Sequence, residues 1–345
     1  MAFLSRFFLI SFLFGSVFFS CVKDQPEPQP LVLEEPEPSE RVFVVNEGNF
    51  TSGNASISLY NRKNNEVQED QFKAVNNMAL GDVAQSMVLI NDKYYIVVNN
   101  SGKVVVCDKN FKLSSNITGF MSPRYMLQVS ANKAYVSDYK SGCISVVNLS
   151  NNALSHSIVL PGWTEEMVLL HNKVYVCNVN KEYAYVIDPS QDKVEDSIWV
   201  GKNASGIQAD KNAKLWVLSS GDFAASPARL SLINTSTHDL EKSFVFAANR
   251  EPFKLAINGK KDTLYFIDKG VCAMPVNAAG LPDVPLVTSG QSHFYGIGVH
   301  PITSEIYVSD ALDYVQRSHI TVYSAMGSKK AEFKAGINAN GFYFE

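Results

Sequence analysis

The chain has 345 residues, 46% hydrophobic and 19% charged, with a net charge of −4. That is globular composition, not disordered or fibrous, and the mildly acidic balance argues against nucleic acid as the main partner, which usually calls for a basic face. Length alone suggests two domains, although β architectures often run longer as one, and 21 Phe with 15 Tyr suit a β-protein packed with aromatics.

In chain order, residues 1–20 read as a secretory signal, with one Arg ahead of an apolar stretch from Phe7 to Phe19 that is too short to span a bilayer comfortably. Ser20 before Cys21 resembles the lipobox of bacterial lipoproteins, which predicts Cys21 as the lipidated mature N-terminus. An ordinary cleaved signal with an incidental cysteine is the alternative. Residues 21–40 then form a Pro- and Glu-rich tether, expected to be extended and unfolded. Its Lys23-Asp24 partly resembles the charged signal that sends Bacteroidota lipoproteins to the outer face of the cell.

From residue 41 a unit of strand, polar turn and strand recurs seven times, at 41–62, 93–110, 133–150, 173–190, 214–236, 263–277 and 305–326. Starts after the second copy are spaced 40, 40, 41, 49 and 42 residues. An apolar run such as "SMVLI", "EMVLL" or "FKLAI" precedes each unit from the second onward, and a weaker run follows. Four strands at a period near forty predict an all-β fold, a seven-bladed β-propeller over 41–345. The first unit lacks its own preceding strand, and the spare run "GFYF" (Gly341 to Phe344) follows the last. That tail is therefore predicted to complete the first blade from inside and leave no unpaired edge. Cys107, Cys143, Cys177 and Cys272 lie in or beside apolar runs without C-x-x-C spacing, and are read as buried free thiols.

In a propeller, the loops leading into the innermost strands and those joining the second and third strands open on one face. The first set offers Gln85, Arg124, Tyr125, Trp163, Glu165, Phe294 and Tyr295. The second offers Asn46, Asn49, Phe50, Asn99, Asp138, Tyr139, Tyr183, Phe223, Asp313, Tyr314 and Arg317. Aromatics mixed with amides and a few charges predict a pocket for a large, polar, partly flat ligand. The competing reading is structural, because such loops need Asn, Asp and Gly for turns and their aromatics often wedge between blades.

Reaction signatures are sparse. The chain has no H-E-x-x-H, G-x-S-x-G or phosphate-binding loop. "GIGVHP" begins like a dinucleotide fingerprint but lacks the third glycine. Six histidines are scattered; His293 and His319 fall on the candidate face. Glu165 and Glu166 are adjacent, so on an extended segment their side chains are expected to diverge. No catalytic residue, metal ligand or cofactor is therefore assigned.

The repeats resemble YncE/YVTN-like propellers. "VVNEGNF", "GDVAQSM", "YIVVNNSGKV", "SPRYM", "KLWVLSSG", "FYGIGVHP" and "EIYVSDALDYVQRSHI" look more specifically like propeller lipoproteins of Bacteroidota, over roughly 41–344. Such proteins often sit beside TonB-dependent transporters, and the BtuG-type relatives capture cobalamin at the cell surface. The resemblance implies a lipid-anchored, surface-exposed outer-membrane protein that grips a corrinoid and hands it to a TonB-dependent transporter. Its rivals are a propeller hydrolase or lyase using side chains gathered at the axis, and a glycan- or protein-binding scaffold.

Overall fold

The computed structural model describes residues 40–222 and 225–345. They form seven antiparallel four-stranded sheets, numbered here as blades 1 to 7 in chain order. The second strands begin at Arg41, Lys93, Lys133, Lys173, Leu215, Thr263 and Ile306, each within one residue of its predicted start. The innermost strands of blades 2 to 7 are Ala84–Ile90, Pro123–Ser130, Thr164–Leu170, Ala204–Ala209, Phe253–Ile257 and Phe294–Val299. Each lies against the innermost strand of the next blade, so together they line a central axis.

Burial follows position in the blade. The second strand of blade 2, Lys93–Val98, is buried at every residue after its first. A strand sandwiched between neighbouring blades has both faces covered, so Val, Ile and aromatic residues run together. The outermost strand of blade 3, Ala153–Val159, is mostly exposed. Aromatics fill the seams between blades: Phe43 of blade 1 meets Tyr94 of blade 2 at 5.4 Å, and Phe246 after blade 5 meets Phe266 of blade 6 at 5.6 Å.

The C-terminal strand Ala339–Phe344 is the innermost strand of blade 1, pairing Val42 with Phe344 and Val44 with Phe342. Phe342 and Phe344 both pack on Tyr307 of blade 7, at 5.8 and 5.2 Å. Glu345 then bonds Arg41 at 2.7 Å and the Tyr94 hydroxyl at 3.0 Å. Blade 7 admits this strand because two facing positions lack a Cβ. At Gly296 one would stand 2.6 Å from the Asn340 carbonyl oxygen, and at Gly298 2.7 Å from Phe342 Cβ.

A short helix, Gln71–Asn76, which the repeat does not foretell, links blades 1 and 2 and buries Phe72. The Asp70 carboxylate caps it by accepting the Lys73 N–H at 3.1 Å. The four cysteines of the propeller are free, and all but Cys143 are buried. Burial raises the Cys107 thiol to about 12 and Cys272 to about 11, which keeps both protonated and unreactive. Among the described residues no helix is long and apolar enough to cross a membrane.

Candidate functional site

The site begins with an irregularity repeated in every blade. Near its start the innermost strand carries an extra residue that the second strand does not match. Gln85, Ser205, Lys254, Tyr295 and Asn340 are those residues in blades 2, 5, 6, 7 and 1. In blades 3 and 4 two residues, Arg124 with Tyr125 and Glu165 with Glu166, stand opposite one. Such bulges break the two-residue alternation and re-aim side chains. Here they bring a polar or aromatic group from each blade to one end of the axis. Lys254 also holds a left-handed backbone, φ 54°, a conformation costly for a residue with a Cβ.

These groups bond from blade to blade. Lys254 donates to the Asn340 side-chain oxygen, and the Asn340 amide donates to the Gln85 carbonyl at 3.1 Å. The Gln85 side-chain oxygen accepts from Arg124 at 2.5 Å, and Arg124 Nε donates to Glu165 at 2.8 Å. Glu166 accepts the Ile207 N–H at 3.1 Å, and Gln208 donates to the Leu255 carbonyl at 3.1 Å. The Tyr295 hydroxyl donates to Glu47 at 2.5 Å. These bonds run through all seven blades, blade 7 being joined through Glu47, and interlinked polar groups of this kind hold one another in place.

Two cavities meet at this belt. One, of about 400 Å³, opens among Arg124, Trp163, Glu165, Ser205, Phe253 and Lys254. The other, of about 320 Å³, runs along the axis beneath Gln85 and Asn340, past Met87, Ile297 and Phe342. Tyr125, Glu166 and Lys254 line both. Trp163 walls the mouth. Its indole N–H donates to Glu165, the Arg124 guanidinium lies 5.7 Å from its ring, and Tyr139 meets it edge-on at 4.4 Å. Burial raises the Glu166 carboxyl to about 7, despite the Ile207 N–H and Lys254, which favour the charged form. Burial lowers the Lys254 amine against the pull of Glu47 and Glu166, and raises the Glu165 carboxyl against Arg124. Perturbed groups of both signs in one cleft mark a functional site. Among the described residues no group of three His, Cys, Asp or Glu is placed to hold a metal ion.

The structure brings Gln85, Arg124, Tyr125, Trp163 and Glu165 together, with Tyr139 on the rim. Tyr295 joins them through Glu47 and carries exposed Tyr314 edge-on at 5.8 Å. Phe294 instead packs into the seam between blades 6 and 7. Tyr183 stands farther out, at the start of the third strand of blade 4, opposite exposed Trp199. Arg317 is turned away, donating to the Ala335 carbonyl at 2.7 Å and to Glu69, and lines a separate recess with Asp70 and Lys73. Asp313 caps the loop ahead of it through the Val315 and Gln316 N–H groups. Asn46, Asn99 and Asp138 serve turns and strand ends, Asp138 by accepting from the Ser122, Lys140 and Ser141 N–H groups. Phe223 and Cys21 lie outside the described residues.

Sequence reasoning passed over Lys254, Asn340 and Glu47, and weighed Glu166 without giving it a role. Glu165 and Glu166 do diverge, Glu165 to Arg124 of blade 3 and Glu166 to the Ile207 N–H of blade 5, yet both line the same cavity. A signal was available: the second residue of every innermost strand is polar or aromatic.

The family profile described as "Domain of unknown function (DUF5074)" matches residues 40–345. No curated protein matches the chain. Among solved structures, a "Quinonprotein alcohol dehydrogenase-like protein" of Bacteroides thetaiotaomicron is similar with TM-score 0.73 at 15% identity, over 89% of this chain and 78% of that one. A functionally unknown protein of Desulfotomaculum acetoxidans gives 0.67 at 13% identity, over 89% and 99%. Dihydro-heme d1 dehydrogenase NirN gives 0.62 at 10% identity, over 92% and 79%. At these identities the likeness is one of fold.

Proposed function

The chain belongs to the DUF5074 family, whose description names no activity, and from that premise we propose that it is a ligand-capture propeller and not an enzyme. The observation that carries this reading is the convergence of bulged polar side chains from separate blades on one aromatic-walled mouth. A cavity of about 400 Å³ with a few fixed polar groups suits a small-molecule site. The first cargo to test is a corrinoid, as the family resemblance of the sequence implies. So large a ligand would place one edge in the cavity and the rest across Trp163 and Tyr139.

In the cell, Cys21 would carry the lipid, the tether would hold the propeller at the outer-membrane surface, and the partner would be a TonB-dependent transporter. Titrating cyanocobalamin into the purified protein tests the cargo by calorimetry. Binding should release heat and raise Tm by linkage, and Trp163→Ala should weaken it. No heat and no shift at micromolar ligand would remove corrinoids. Labelled palmitate that enters Cys21→Ser as readily as the parent chain would refute the anchor. Copurification of a tagged chain without any TonB-dependent transporter would refute the partner.

A hydrolase or lyase is the second reading, favoured by the raised Glu166 carboxyl and lowered Lys254 amine sharing one mouth. Mass spectrometry of cargo recovered after incubation separates the two, since a capture protein returns it unchanged.

A further inference from the structure

The two cavities share Lys254, Glu166 and Tyr125 in their walls. Arg124 and Glu165 form an ion pair at 2.8 Å, and Glu47, the carboxylate that pulls most on the Lys254 amine, takes the Tyr295 hydroxyl at 2.5 Å. Lys254 and Glu166 form no ion pair among the described residues. The amine donates to a neutral amide, Asn340, and the carboxylate accepts a backbone N–H from Ile207. Each feels the other's charge, yet no ion pair or hydrogen bond joins them among the described residues. An ammonium has three donors and a carboxylate about four acceptor sites, so both retain unused capacity toward the cavities they line. The strained left-handed backbone of Lys254 is a second mark of a position kept for its side chain.

We propose that this junction is a carboxamide subsite, in which Lys254 donates to the carbonyl oxygen of a ligand amide and Glu166 accepts from its NH₂. The inference rests on the capture reading of the same mouth and names the chemical group it takes. A carboxylate would satisfy Lys254 but oppose Glu166. An amine would do the reverse. A primary amide presents acceptor and donor side by side in one plane, and Tyr125 and Trp163 offer aromatic surface to a flat remainder of the ligand.

Three probes of one shape test it: nicotinamide, nicotinate and 3-picolylamine, followed by ligand-observed NMR. Nicotinamide should bind, with the two charged analogues about tenfold weaker, the scale of one charge-assisted hydrogen bond. Binding should also weaken between about pH 8 and pH 6 as Glu166 takes up a proton that the amide disfavours. The other groups facing Glu166 are Lys254, Glu165, Tyr125 and the Cys177 thiol. Burial holds the phenol and thiol protonated, and Glu165 is tied to Arg124. Glu166→Gln should therefore abolish the pH dependence, and Lys254→Met should cost about tenfold in affinity.

Preference for nicotinate would make this a plain anion site, and preference for 3-picolylamine a cation site. Silence from all three would leave the pair to water. Each of these results overturns the proposal. Cyanocobalamin binding undiminished in both variants would sink the subsite alone and leave the capture reading standing. Selective nicotinamide binding without any corrinoid response would support the subsite and remove the corrinoid.

Discussion

The seams between blades and the belt at the axis are built by opposite rules. A seam such as that of Phe43, Tyr94 and Phe111 is apolar, made mostly of residues from the regular strands and supplied by two neighbouring blades. The belt is polar, made of residues that interrupt the alternation, and drawn from the whole ring. Regularity gives the ring its stability, whereas chemistry is gathered where regularity is broken.

Four perturbations would break or sharpen that contrast. The largest effect belongs to closure. Deleting residues 341–345 removes the half-buried Phe342, Tyr343 and Phe344 with their pairing to Val42, Phe43 and Val44; a fully buried aromatic costs about 3–5 kcal/mol, so three half-buried rings and a lost strand consume most of the stability of a typical domain. The expected outcome is no cooperative thermal transition; a sharp melt near that of the full chain would refute the latch.

Next comes the belt. Arg124→Ala leaves Glu165 buried beside Trp163 without its cation, and breaking such a pair costs about 3–5 kcal/mol. Replacing both partners with apolar residues, Arg124→Met with Glu165→Leu, should recover most of that loss in chemical denaturation while abolishing ligand binding. A double variant as unstable as the single one would show that the belt serves mainly as structure.

A smaller, pH-dependent effect is expected at Glu166. Burial raises its carboxyl to about 7, so the folded protein keeps a proton that the unfolded chain gives up above the ordinary glutamate range. Stability contributed there is lost as pH rises from that range through about 7. Glu166→Gln should match the parent Tm at acid pH and exceed it increasingly towards neutrality. An advantage equal at every pH would contradict the assigned titration. The smallest effect is Arg317→Ala, where a half-exposed pair with Glu69 contributes about 1 kcal/mol at most, and ligand affinity should be unchanged.

The same contrast explains what could be read in advance. Residues that obey the period were legible: all seven second strands, the tail and the free cysteines follow from runs such as "YYIVV" and "GFYF". The face was legible too, since Arg124, Trp163 and Glu165 do meet there. Arg317 was misplaced because its loop turns back at Asp313 before the strand begins. Lys254 and Asn340 escaped because an inserted residue falls outside the two-residue alternation of its strand and shows only when the repeats are laid side by side. The pairing of Lys254 with Asn340 spans 86 positions, which only the closed ring reveals. The helix at Gln71–Asn76 is six residues long, too short for helical periodicity to show.

One consequence concerns biosynthesis. Because Val42 pairs with Phe344, the propeller's first described strand to leave the ribosome waits for the strand that follows blade 7. Until then the nascent chain is an open arc, with the edge of Arg41–Asn46 bare and the belt missing Asn340. Anything that stalls translation or export in that interval leaves a sticky, unlatched protein, so chaperones should engage this chain through its beginning rather than its end.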